Sequence, residues 1–273
     1  MKAVISDEYD WEIGRRHADE DRLEAPAGAA ACRKGFFGTC AAVGYEETVV
    51  LVPAGDGRRA SLGIAPLGKH SAMLATEGVN DAGLACCVRD ICVKDKGATS
   101  GTAPGKDRLS ASMAVRFLLD SADSVSDAVR MLSEKDLYCS GGECHLLLCD
   151  KSRSAAIEFI DDRMTVTYGS DVLAGFYVSG FETEADLGER ACGLAEFRAL
   201  EEGLPAVDDA EDMASLMSRA GSARVSSYDI GKGSVMVLVK GERYEFSLRC
   251  ARDIPRDIPD DGERRSAYVP GPL

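Results

Sequence analysis

The apolar positions of this chain follow two rhythms. Short β-branched or alternating runs, Gly35-Phe-Phe-Gly, Thr48-Val-Val-Leu-Val-Pro and Arg59-Ala-Ser-Leu-Gly-Ile-Ala, predict strands, with Pro53-Ala-Gly-Asp-Gly as the turn between the last two. Residues 71–76 and 84–93 are strand-like as well. Between them Asp81-Ala82-Gly83 has the composition of a three-residue hairpin loop, so the two runs are expected to pair antiparallel. A helical spacing takes over at Asp107, the expected cap of a helix carrying Leu109, Met113, Val115, Phe117 and Leu118. Ser124 or Ser126 opens a second helix over 127–135, with Ala128, Val129, Met131 and Leu132 inward. Strands at 144–149 and 155–160 turn at Asp150-Lys-Ser-Arg-Ser, and 164–168 adds another. Helices over 184–203, with Leu187, Ala191, Leu194, Phe197 and Leu200 on one face, and over 209–219 precede a closing hairpin of 234–239 and 244–249. Strands at both ends around a central helix pair make the chain α+β, with helices packed on antiparallel sheets.

The pattern fades at both ends. Residues 1–31 are rich in charge and finish in Pro26-Ala-Gly-Ala-Ala-Ala, which reads as a flexible joint, and the tail from 254 mixes four prolines with many charges. The expected organisation is therefore an arm or leader over 1–31, one domain over 32–253 and a flexible tail over 254–273.

Composition narrows the function. A chain of 273 residues with 45% hydrophobic and 29% charged residues can bury a full core. The net charge of -14 excludes the basic footprint that nucleic acid or an anionic membrane needs, and leaves a small uncharged or cationic ligand as the partner. A homo-oligomer stays open. The first 22 residues hold no apolar signal core, so a cytoplasmic protein is expected. The ten cysteines include no Cys-x-x-Cys and histidines number only three, so no metal site is expected; without a glycine-rich phosphate loop no cofactor is expected either. Cys86, Cys87 and Cys149 lie in apolar strands and read as small buried hydrophobes in a reducing compartment.

The stretch with the most chemistry is Glu77-Gly78-Val79-Asn80-Asp81-Ala82-Gly83-Leu84. Asn80 stands at the mouth of the hairpin turn, where its amide can donate to an oxygen in a pocket or, more plainly, brace its own turn. The octapeptide resembles the Gly-Met-Asn-Glu-Lys-Gly-Leu signature of the linear amide C–N hydrolases, a group that includes choloylglycine (bile salt) hydrolases, penicillin V acylases and related N-terminal-nucleophile cysteine amidases. The helix-pair text Phe117-Leu-Leu-Asp-Ser-Ala-Asp-Ser-Val-Ser-Asp-Ala-Val-Arg-Met-Leu is similar to the family's, as is the pattern carried by His145, Asp150 and Glu158. On its own strand, His145 reads as a core histidine.

The resemblance covers about residues 32–250 and implies a four-layer αββα sandwich. It also implies hydrolysis of a small linear amide through a cysteine acyl-enzyme. In that reading, removal of 1–31 exposes Cys32 as an N-terminal nucleophile whose own α-amino group is the base, Asn80 holds the oxyanion and Arg190 supports the site. Cys40 is the next candidate nucleophile. Three departures define an alternative, a catalytically silent member that keeps the scaffold and a ligand pocket. Thr39-Cys40-Ala41-Ala42 falls where the family carries Arg-Asn-x-Asp. The likeness of Val4-Ile-Ser-Asp-Glu-Tyr-Asp-Trp to the family's Gly-Arg-Asn-x-Asp-Trp would put Asp10 toward substrate but leaves no cysteine upstream. Ser179-Gly180-Phe181 replaces Thr-Asn-Phe or Thr-Asn-Ser-Pro, leaving only the Gly180 backbone as a donor.

Overall fold

The apolar runs pair into two large sheets. The structure, a computed structural model, describes residues 1, 3–5, 25–42, 44–55, 57–67, 72–92, 105–138, 143–160, 163–179, 192–221 and 223–249. In chain order the strands are β1 (Ala3–Ile5), β2 (Ala27–Arg33), β3 (Phe36–Ala42), β4 (Glu47–Val52), β5 (Ser61–Pro66), β6 (Glu77–Asn80), β7 (Ala85–Asp90), β8 (Asp107–Ser110), β9 (Lys135–Tyr138), β10 (Cys144–Cys149), β11 (Ser154–Ile160), β12 (Arg163–Tyr168), β13 (Val172–Leu173), β14 (Arg224–Asp229), β15 (Ser234–Val239) and β16 (Glu242–Ser247). The helices are α1 (Ala111–Ser121), α2 (Val125–Ser133), α3 (Leu194–Gly203) and α4 (Ala210–Arg219). The larger sheet runs β1-β4-β5-β6-β7-β10-β11-β12 and the smaller β13-β2-β3-β14-β15-β16, while β8 and β9 pair by themselves.

Side-chain alternation along these strands makes three apolar layers. Val49, Leu62, Val79, Cys87 and Leu147 of the larger sheet meet Ala30, Cys32, Phe37, Tyr228 and Val237 of the smaller between the sheets. Cys86, Val88, Leu146 and Ile157, on the other face of the larger sheet, pack under α1 and α2. Ala29, Ala31, Cys40 and Val225 do the same under α3 and α4. The order is helices, sheet, sheet, helices: the expected four-layer αββα sandwich.

Local chemistry sets the helix ends. Ser110 caps α1 by accepting from the Met113 N–H, and Ser124 caps α2 from Asp127. Asp107 is thus not the cap expected of it; it opens the short strand β8 instead. The hairpin at 81–83 forms, but its first strand is Glu77–Asn80 and residues 72–76 lie outside it. Gly83 has φ +90°, the left-handed turn position anticipated for it.

Two central strands of the smaller sheet were not anticipated. The expected joint is the strand β2, paired along its length from Ala27 opposite Ala42 to Arg33 opposite Phe36. The boundary expected between Ala31 and Cys32 therefore falls inside a strand, and 27–31 are part of the domain. Small side chains serve a purpose here: a Cβ at Gly38 on the neighbouring strand would lie 2.5 Å from the Met213 sulfur of α4, so the helix layer sits directly on the backbone. The second unanticipated strand, Arg224–Asp229, is buried throughout despite its polar sequence.

The cysteines also depart from expectation. Cys86, Cys87 and Cys149 are free and buried, as read, but Cys92 and Cys192 form a disulfide and Cys144 is disulfide-bonded too. Such bonds persist in oxidising compartments, which counts against the reducing cytoplasm expected from spacing alone. No helix among the described residues is long and apolar enough to cross a membrane.

Candidate functional site

One end of the space between the sheets is polar rather than apolar. On the larger sheet Glu47, Glu77, Arg89, His145 and Glu158 continue the inward-facing rows of Val49, Val79, Cys87, Leu147 and Ala156. Thr39, Ser226 and Arg224 continue the inward rows of the smaller sheet. Glu77 is the hub. Fully buried, it accepts from Thr39 Oγ1 at 2.8 and 2.9 Å, Arg89 Nη2 at 2.6 Å, Arg224 Nη1 and Nη2 at 2.9 and 3.1 Å, and Tyr228 Oη at 3.1 Å. Arg224 also donates from Nε to Glu47 at 2.6 Å. Burial by itself would raise the Glu77 pKa, but Arg224 and Arg89 outweigh it and hold the carboxyl well below the usual carboxylate range. The same carboxylates push the Arg224 guanidinium up against its own burial. Glu77 is therefore a fixed anion, too weak a base to take a proton near neutrality.

Beside this hub the layer is less complete. Arg89 lies directly opposite His145 across the β7–β10 pairing. The His145 ring is wholly buried with Nδ1 3.6 Å from Glu158 Oε1, and neither ring nitrogen nor Arg89 Nε has a hydrogen-bond partner among the described residues. Burial lowers the His145 pKa, with the Glu158 carboxylate opposing, so the ring is neutral. Glu158 accepts from the backbone N–H groups of Val178 at 2.5 Å and Ser179 at 2.8 Å, and Tyr177 donates to Glu143 at 2.9 Å.

The residues expected to be catalytic are not brought together. Cys32 faces the inter-sheet core four residues along β2 from Gly28, which neighbours the Arg224 row through Ala41; that is roughly 13 Å at strand rise. Its thiol donates to Asp171 Oδ1 at 3.8 Å. Hydrogen bonding with Cys149, burial and the Asp171 carboxylate raise its pKa well above the usual thiol value, which suppresses the thiolate a nucleophile needs. Asn80 is on the opposite face of the larger sheet, since Val79 faces Cys32 and the next residue must face the helices. Its Nδ2 donates to the carbonyls of Leu119 at 3.1 Å and Ala122 at 2.8 Å, and its Oδ1 accepts from the Ala82 and Leu84 N–H groups at 3.2 and 3.0 Å. The amide expected to open into a pocket instead braces its own turn and ties it to the end of α1. Cys40 packs under α3 and α4, away from the polar layer. Arg190, Asp10 and Gly180 lie outside the described residues. The buried Arg224 of this layer carried no sequence signal, because Glu77 and Glu47 are brought to it from 147 and 177 residues away.

Known structures share this fold, and part of the chain matches a family model. A penicillin V acylase from Agrobacterium tumefaciens superposes with a TM-score of 0.63 at 15% identity, covering 83% of this chain and 87% of that one. Two variants of conjugated bile acid hydrolase from Clostridium perfringens give 0.65 at 12% identity, covering 82% and 93%, and 0.62 at 13%, covering 82% and 92%. The four-layer αββα sandwich of this chain is thus the fold of these solved structures. Residues 62–174 match the family model of acyl-coenzyme A:6-aminopenicillanic acid acyl-transferase. No curated protein matches the sequence.

Proposed function

We propose that this chain is a catalytically silent relative of the amide hydrolases, which keeps their sandwich and a polar inter-sheet layer as a small-molecule site but not the cysteine acyl-enzyme step. The observation that carries the reading is the start of β2. Ala42 falls where the family has its aspartate, and the residue paired with it, at the head of the strand where an N-terminal nucleophile would stand, is Ala27, followed by Gly28. Neither has a nucleophilic side chain. Cleavage before Cys32 would not restore one, because it would strip Ala27 to Ala31 from their pairing with 38–42 and leave the new amine in mid-sheet.

The competing reading, hydrolysis of small linear amides through Cys32, is tested directly. Purified protein is assayed with penicillin V and conjugated bile salts, and its intact mass is measured beside that of Cys32→Ala. No turnover by either protein, with no chain starting at residue 32, is the expected outcome. Turnover by a chain that begins at Cys32 and its loss in Cys32→Ala would restore the acyl-enzyme.

A further inference from the structure

The disulfide between Cys92 and Cys192 joins residues 100 apart in sequence and from different layers. Cys92 follows β7 of the larger sheet, and Cys192 precedes α3, which covers the smaller one. Both cysteines are solvent-exposed, within reach of a dissolved thiol. The segment between them in space is 174–179. The Cys92 N–H donates to the Gly175 carbonyl at 3.0 Å, and a Cβ at Gly175 would stand 2.4 Å from Cys92 Sγ and 3.1 Å from the Cys192 carbonyl oxygen. A Cβ at Gly193, whose φ is +85°, would fall 2.7 Å from the Gly175 nitrogen. Only glycine at these two positions lets the three backbones meet around the sulfurs.

The same segment closes the incomplete part of the polar layer. Two to four residues beyond Gly175, Tyr177 is bound by Glu143 while Val178 and Ser179 are bound by Glu158, and His145 lies against Glu158 with no exposure of its own. Disulfide, segment, carboxylates and imidazole therefore form one stack at the polar end of the sandwich.

We propose that the Cys92–Cys192 bond is a redox-sensitive clasp that holds residues 174–179 over the Glu158–His145–Arg89 layer, and that its reduction by a dithiol uncovers this layer to small polar solutes. A thiolate of the dithiol attacks one sulfur and forms a mixed disulfide. The second thiol then displaces the first, so that the protein gains two electrons and two protons as Cys92 and Cys192 thiols and the dithiol leaves as its cyclic disulfide. Exposed disulfides are the ones that exchange readily. The clasp is independent of whether the chain hydrolyses amides.

His145 reports the change. Native protein, protein treated with dithiothreitol and desalted, and the Cys92→Ser/Cys192→Ser double variant are each exposed to diethylpyrocarbonate. Labelling of His145 is followed by peptide mass, and circular dichroism monitors the fold. Labelling at least tenfold faster in the double variant and in the reduced protein than in the native one is the expected result. Equal protection of His145 in a folded double variant would overturn the clasp. Should the double variant fail to fold, native protein reduced briefly and alkylated only at Cys92 and Cys192 gives the same comparison, and unchanged labelling there overturns it equally.

Discussion

At Glu77, residue identity and stability are tightly linked. One carboxylate pairs with two guanidiniums that are themselves cut off from water, so removing its charge takes the ion-pair partner from Arg89 and leaves Arg224 to Glu47 alone. Glu77→Gln is expected to cost about 3–5 kcal/mol, the usual range for breaking a buried pair, read as a lower urea midpoint with an unchanged slope. Protonation does the same thing reversibly. The folded pKa of Glu77 is depressed, so its contribution is present above the unfolded value of about 4.3 and is lost as pH falls below it toward the folded value. His145 acts at higher pH. Its folded pKa is also depressed, so the unfolded chain binds the proton first and stability declines once pH drops below about 6.5. The ring faces Glu158 and Arg89, with Asp90 nearby, and Glu158 moderates the shift without reversing it. Acid denaturation should therefore show two stages, and His145→Gln should remove the one nearer neutrality while leaving the Glu77 stage in place. A single acid stage in native protein would refute the assignment.

The elements show what was legible in the sequence. The octapeptide hairpin, both central helices and the strands from 144 to 168 follow from local pattern, because each is specified by neighbours in the chain: alternation, serine caps, a glycine in the left-handed turn. What the pattern concealed were β2 and β14, which lie on either side of β3 in the smaller sheet. An Ala-Gly-Ala-Ala-Ala run has little β propensity and looks like a joint, yet its small side chains are what a strand beneath a close helix layer requires. Arg224-Val-Ser-Ser-Tyr-Asp looks solvated, yet Arg224, Ser227 and Tyr228 are satisfied by residues far away in sequence. The site was obscured for the same reason, and Asn80 was given a catalytic part because a motif names a residue type without stating which face of the sheet it occupies. Its observed part is structural and measurable. Asn80→Ala leaves the Leu119 and Ala122 carbonyls and the Ala82 and Leu84 N–H groups without their partner, a loss of at least about 2 kcal/mol. Gly83→Val, which forces a β-branched residue into φ +90°, should cost more than about 1 kcal/mol. Chemical denaturation of the two variants checks both, and a neutral Asn80→Ala would mean that the turn does not depend on its amide.

For the whole molecule, the question is how the two halves of the sandwich are kept together. The inter-sheet core is apolar at one end and ionic at the other, and ionic packing is a poor source of net stability because desolvation offsets much of the attraction. The Cys92–Cys192 bond spans the layers at that weaker end. By closing a loop of 100 residues it restricts the unfolded chain, and the loop-entropy account assigns about 4–5 kcal/mol to a closure of this length. For a domain of this size each kcal/mol moves the melting temperature by about 2–4 °C, so Cys92→Ser/Cys192→Ser should melt roughly 10 °C below native protein. Because the constraint acts mainly on the unfolded state, the loss should persist at high salt, whereas the Glu77→Gln deficit arises in the folded state. Calorimetry of the two variants and their combination separates the terms: Cys92 follows the strand that carries Arg89, but neither cysteine contacts Glu77, so the two losses should add within about 0.5 kcal/mol. A combined loss well short of the sum would mean that the polar layer has already come apart once the bond is gone, making the disulfide the support of the ionic network rather than an independent tie.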